Sequence, residues 1–168
     1  MGCGVVSGSQ GGEVRCIERE RLALLNFKQG LIDRNDNLSS WGGQEHNCCT
    51  WKGVSCNENT SHVIGLQLPG YQLRGNISPA LFDLSTSLVS VDLSDNQLDG
   101  LIPDALGSFS FLEYLDLSGN RLEGGFPESL SDLSRLYFLD LSHNQLTGLV
   151  PELRGLISLR ELLYITIS

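Results

Sequence analysis

Asparagine and proline return in this chain at a fixed interval. Asn96, Asn120 and Asn144 lie 24 residues apart, and Pro103, Pro127 and Pro151 keep the same step. Around them four segments align: VIGLQLPGYQLRGNI, LVSVDLSDNQLDGLIP, LEYLDLSGNRLEGGFP and LYFLDLSHNQLTGLVP, beginning at Val63, Leu88, Leu112 and Leu136. Such a period fits a coil that turns once per repeat. One coil cannot bury its own apolar face, so adjacent coils must bury one another and no single globular core is expected. The fold class this implies is an α/β solenoid, a superhelix with short parallel strands on its concave face.

Each repeat position has a physical task. In L-x-x-L-x-L the inward leucines, such as Leu112, Leu115 and Leu117, set a short strand against the core of the stack. The asparagines Asn96, Asn120 and Asn144 are expected inside the turn that follows. There an amide satisfies backbone groups that leave the strand unpaired, and successive asparagines form a ladder. Leu98, Leu122 and Leu146 return to the core, while Gly100, Gly124 and Gly148 permit a backbone that side chains would obstruct. Pro103, Pro127 and Pro151 fix φ and lead into ALGSF, SLSDL and ELRGL, each long enough for a helical turn on the convex side. Repeat one departs, with Tyr71 at the Asn position and Ser78 where the others have Pro.

Ahead of the repeats, residues 17 to 32 read as one amphipathic helix, with Ala23, Leu24, Phe27 and Leu31 at three- and four-residue spacings. Glu18 and Glu20 fall early and Lys28 late, as the helix dipole prefers. Residues 33 to 47 carry turn formers and no apolar period, and read as a loop anchored by Leu38 and Trp41. Cys16, Cys48, Cys49 and Cys56 bracket one compact segment, which points to two disulfides in an oxidising compartment. Zinc is the rival reading, but adjacent Cys48 and Cys49 are poor geometry for one tetrahedral ion, and no C-x2-C pair accompanies them. Sequons at Asn37, Asn59 and Asn76 agree with an extracellular setting.

Composition narrows the function. Twenty acidic against 11 basic side chains give a formal charge of −9. That argues against nucleic acid or an anionic membrane surface as partner, since either needs clustered Lys and Arg. No apolar run is long enough to span a membrane. The leader MGCGVVSGSQGGEV shows no secretory signal, and Met1-Gly2 with Ser7 misses the myristoylation pattern by one position. Catalysis has little to work with: His46, His62 and His143 are scattered, and neither G-x-S-x-G nor H-E-x-x-H occurs. The residues imply no enzyme, no cofactor and no metal.

The pattern L-x-x-L-x-L-x-x-N-x-L-x-G-x-I-P resembles the plant extracellular leucine-rich-repeat class of receptor-like proteins, receptor kinases and polygalacturonase-inhibiting proteins. The preceding segment is similar to that family's amino-terminal cap, through Cys16, the run from Glu20 to Lys28, Leu38-Ser39-Ser40-Trp41, and Cys48-Cys49-Thr50-Trp51-Lys52-Gly53-Val54-Ser55-Cys56. The resemblance implies a right-handed solenoid and pairing of Cys16 with Cys48 and Cys49 with Cys56. It divides the chain into a flexible leader (1–15), a cysteine-bonded cap (16–61), four repeats (62–158) and a truncated fifth repeat (159–168), in which Ile167 stands where Asn belongs. No carboxy-terminal cysteine cap and no kinase signature is present.

Residues that alternate with the inward leucines point outwards, which puts Gly65, Ser90, Tyr114, Phe138 and Glu161 in one concave column and Gln67, Asp92, Asp116 and Asp140 in the next. Asp95, Gly119 and His143 are further outward positions. Asp92, Asp116 and Asp140 form an acidic ladder that would attract a cation or basic peptide, although L-D-L-S recurs as scaffold in this family. Tyr114 and Phe138 stand out as exposed aromatics on adjacent strands. Ser90, Asp92, Tyr114, Asp116, Phe138, Asp140 and His143 are thus the candidate ligand-binding residues. The family resemblance implies a secreted or cell-surface recognition module for an extracellular protein, peptide or glycan, with a co-receptor ectodomain as second partner. A polygalacturonase inhibitor and a truncated remnant are the alternatives.

Overall fold

The computed structural model describes residues 14–43 and 46–163. The cap supplies helix α1 (Glu18–Gln29) and strands β1 (Leu31–Ile32) and β2 (Val54–Cys56). The repeats supply β3 (Val63–Gln67), β4 (Arg74–Asn76), β5 (Ser90–Asp92), β6 (Gln97–Asp99), β7 (Tyr114–Asp116), β8 (Glu123–Gly124), β9 (Phe138–Asp140), β10 (Gln145–Leu146) and β11 (Glu161–Leu163). Six of these make the concave sheet, in the order β11-β9-β7-β5-β3-β2. All its pairs are parallel except β2 with β3, where the cap joins the first coil antiparallel. This is the leucine-rich-repeat solenoid.

A second ribbon runs beside it. There β1, β4 and β6 pair in one short sheet and β8 with β10 in another, linked by a bridge between Leu101 and Glu123. Gly75 in β4 has φ of 106° and lies against the Gly30 carbonyl, where a Cβ would collide. The β1–β4 pairing therefore needs glycine there. Gly100, Gly124 and Gly148 likewise have positive φ.

Leu66, Leu68, Val91, Leu93, Leu115, Leu117, Leu139 and Leu141 are all buried, and one continuous core runs along the stack. On the opposite side, 3-10 helices at Pro79–Leu84, Asp104–Ser108 and Glu128–Asp132 drop Leu81, Leu84, Leu106 and Leu130 into it. Ser78, which replaces Pro in repeat one, accepts a hydrogen bond at its hydroxyl from Ala80 N and so caps the first of these helices.

Two expectations need correction. The helix does not reach residue 32. It ends at Gln29, where the Gly30 N–H donates to the Phe27 carbonyl, and Leu31 and Ile32 leave as a strand that pairs with β4. The ELRGL stretch after Pro151 forms turns and no helix. The beginning of the fifth segment forms a strand as its leucines imply: Glu161, Leu162 and Leu163 pair in register with Phe138, Leu139 and Asp140. Residue 167 and the leader up to residue 13 lie outside the described residues.

Each repeat asparagine spans two coils. Asn120 Nδ2 donates to the carbonyls of Leu117 and Ser118 in its own coil and to Leu93 in the preceding one, at 2.9–3.1 Å. Its Oδ1 accepts from the Leu98 N–H at 3.0 Å. Asn96 and Asn144 repeat this pattern one coil earlier and one later. The asparagines thus ladder through backbone, without touching one another. Asn120→Leu leaves the buried Leu98 N–H without its acceptor and takes one of two donors from each of the Leu93, Leu117 and Ser118 carbonyls, and chemical denaturation should read a loss of about 2 kcal/mol. Asn144 is less buried than Asn120, so Asn144→Leu should lose less.

Candidate recognition surface

The strand register sets Gly65, Ser90, Tyr114, Phe138 and Glu161 in one row across the concave sheet. Tyr114 and Phe138 are half-buried and stack face to face, with centroids 4.4 Å apart and planes at 5°. Tyr137, on the row beside them, meets Tyr114 edge-on at 6.5 Å. Toward the cap the row shrinks abruptly to Ser90 and Gly65. Gln67 lies over Gly65, bonded to Ser55 on one side and Ser90 on the other. The result is a hollow of about 290 Å³ lined by Gln67, Val89, Ser90, Asp92, Glu113, Tyr114 and Tyr137. The aromatic pair was legible in the sequence. Tyr137, Glu113 and Val89 were not, because each precedes its strand and carries no alternation with the inward leucines that marks it as facing the concave side.

The aspartates carry a scaffold task. Oδ1 of Asp92 accepts from both the Ser94 N–H and hydroxyl, and Asp116 does the same with Ser118. Asp140 accepts from the Ser142 N–H. Each carboxylate thereby closes the turn that leaves its strand. Asp140 is also nearly buried, with 9% of its surface exposed, so it offers little to a ligand. His143 is exposed, but it belongs to that turn: its φ of 55° matches Asp95 and Gly119 at the same repeat position. Its left-handed backbone removes it from the strand face.

Tyr114 feels this acidic surface. Burial, then the Asp116 and Asp92 charges, a hydrogen bond to Asp116 Oδ2 at 3.4 Å, and the Asp140 charge together push its phenol up to about 12. Each cause disfavours the phenolate. Among the described residues none of Asp92, Glu113, Asp116 and Asp140 forms an ion pair.

In the cap, Cys16 is bonded to Cys48 and Cys49 to Cys56. Among the described residues, Cys16, Cys48 and Cys49 are the one convergence of three potential metal ligands, and these sulfurs are already joined in disulfides. Asn37 is half-buried and its amide donates to the Tyr71 carbonyl at 3.0 Å, so its sequon is committed to the fold. Asn59 and Asn76 are exposed.

Comparison with known proteins follows the same division. Residues 17–57 match the leucine rich repeat N-terminal domain, and residues 75–122 and 86–146 match the leucine rich repeat. The ectodomain of the receptor kinase SOBIR1 from Arabidopsis thaliana is 33% identical, with a TM-score of 0.72, over 88% of this chain and 79% of that one. The chain belongs to the plant leucine-rich-repeat receptor ectodomain family. The Solanum lycopersicum receptor-like protein EIX2 is 46% identical over 112 residues, 60% of this chain. The Arabidopsis receptor kinase HAESA, solved with the peptide hormone IDA and the co-receptor SERK1, is 35% identical with a TM-score of 0.75 over 82% of this chain. The chain spans 11% of the length of EIX2 and 23% of the HAESA structure. Among the described residues, no helix is long and apolar enough to cross a membrane.

In this ectodomain a raised tyrosine has a measurable signature. A phenol whose folded pKa lies above its unfolded value of about 10 adds stability that is fully present below pH 10 and lost as pH rises through about 12. Absorbance titration of the phenolates should show one tyrosine ionising last. Tyr114→Phe removes that step, and Asp116→Asn moves it to lower pH.

Proposed function

We propose that this ectodomain segment is a non-catalytic recognition module, secreted or at the cell surface, whose concave sheet binds an extracellular peptide or protein. The observation that carries this reading is the Tyr114–Phe138 stack. Two aromatic rings held in one geometry by the strand register offer a rigid apolar contact with little ordering to lose on binding. The cocrystallised peptide and co-receptor of HAESA support a peptide ligand and a co-receptor ectodomain as partners here. No nucleic acid fits a chain of net charge −9.

A non-catalytic role agrees with how the reactive side chains are spent. His62 Nδ1 lies 2.6 Å from the buried Glu20 carboxylate, at the junction of cap and first coil, while His143 sits in a turn three coils away. The four cap cysteines are in disulfides. None adjoins the concave hollow.

The immobilised chain should retain a co-receptor ectodomain of the SERK1 kind in the presence of extracellular peptides. The double variant Tyr114→Ala, Phe138→Ala should weaken that binding by at least about tenfold, as for central aromatic contacts, with an unchanged circular dichroism spectrum. Retention of a pectin-degrading enzyme in place of the co-receptor would identify an enzyme inhibitor. Full binding by the double variant would move the contact off the concave face.

A further inference from the structure

Between β5 and β7 the outward row changes from Ser90 to Tyr114, and this step in side-chain size creates the hollow. We infer that the hollow is a subsite for a cationic side chain of the bound partner, an arginine guanidinium or lysine ammonium. This deepens the reading of the concave face as the recognition surface and rests on it. Three observations converge. Phe138 covers one face of the Tyr114 ring, and it does not line the hollow. The opposite face of Tyr114 is therefore the hollow's aromatic wall, with Tyr137 beside it, and a cation against such a face is attracted by the ring quadrupole. The rim carries Asp92 and Glu113 from two different strands' edges, and neither is neutralised by a described Lys or Arg. Arg135 lies over the Phe111 ring at 4.6 Å and Lys52 over the Tyr71 ring at 4.4 Å, while Arg160, one coil beyond Tyr137, does not line the hollow.

A bare metal ion fits less well. Asp92 Oδ1 already accepts two hydrogen bonds from Ser94, and no three carboxylate ligand atoms converge among the described residues. A planar guanidinium needs only one stacking face and one carboxylate edge, which is what this wall and rim offer. Gln67, bonded to Ser55 and Ser90, closes the cap side of the hollow.

The test uses the isotope-labelled full chain and four blocked pentapeptides, Gly-Gly-X-Gly-Gly, with X as arginine, lysine, citrulline or glutamate, plus the neutral sugar cellotetraose. The arginine and lysine peptides should saturably shift the amide resonances of Ser90, Asp92 and Tyr114, and added salt should weaken both. Citrulline, glutamate and the sugar should leave them unmoved. Asp92→Asn keeps the Oδ1 acceptor for Ser94 and should weaken arginine binding about fivefold, the factor expected for one half-exposed ion pair. Ser90→Tyr fills the step, leaves every charge in place and should abolish binding. Citrulline binding as tightly as arginine, or an unchanged affinity in Asp92→Asn, overturns the cationic assignment. Shifts at the same residues from cellotetraose alone overturn it too, yet leave the concave face as the recognition surface. Silence from arginine and lysine also overturns it, and the Tyr114→Ala, Phe138→Ala result then decides separately whether the concave face binds at all.

Discussion

The amide of the repeat asparagine is the interaction from which the rest of the structure follows. Where the chain leaves a parallel strand, carbonyls such as those of Leu93 and Leu117 and N–H groups such as that of Leu98 lie deep in the stack, where they need partners, and bond to the asparagine amides. Asn96, Asn120 and Asn144 meet that need with one side chain each, donating to two carbonyls of their own coil and one of the coil before, and accepting an N–H from that earlier coil. A group that bonds to both coils holds them at strand spacing and in register. Register makes rows of outward side chains, and rows place Tyr114 against Phe138 and leave Ser90 open beside them. The recognition surface is thus a by-product of how the turns are satisfied.

Repeat one has Tyr71 at the Asn position, and the cap ties that coil down through other bonds. Asn37, from the loop after α1, donates to the Tyr71 carbonyl, and the loop is itself pinned by Lys28 Nζ on the Leu38 and Trp41 carbonyls. Trp41 and Trp51 stack at 5.5 Å, both buried, and the Trp41 indole donates to the Lys52 carbonyl. Glu20, buried on α1, accepts the first N–H of β3 from Val63 and holds His62. Asn47 accepts from the N–H groups of Cys16 and Cys49, tying the two disulfides together. Without these bonds the apolar side of the first coil would face water.

The solenoid was legible because its signals are periodic: across repeats two to four the inward apolar residues, turn asparagines and glycines of positive φ each recur every 24 residues. Single events were harder. Leu31 continued the helical period of Ala23, Leu24 and Phe27, but pairing with β4 across Gly75 outweighed helix propensity. Glu20 read as a dipole-favouring residue because nothing local shows that its carboxylate meets a strand 43 positions away. The Asn37 sequon looked like its siblings until the fold claimed its amide. Tyr114 and Phe138 were visible as outward aromatics, whereas the hollow depends on what is missing beside them. A small residue such as Ser90 carries no signal of its own until the register sets it next to Tyr114.

The aspartate column holds the scaffold and the surface in one side chain. Oδ1 of Asp92, Asp116 and Asp140 closes the turn to the serine two residues on. An asparagine there would offer the same acceptor, so turn closure alone does not require a charge. The charge acts elsewhere: after burial, the larger cause, it helps push the Tyr114 phenol up to about 12, and it leaves a concave face whose aspartates form no ion pair among the described residues. Burial divides the column further, since Asp140 is nearly enclosed beside β11 while Asp92 opens on the hollow. The same repeat residue is therefore structural in one coil and available in another, decided by the bulk of its neighbours and not by its own identity.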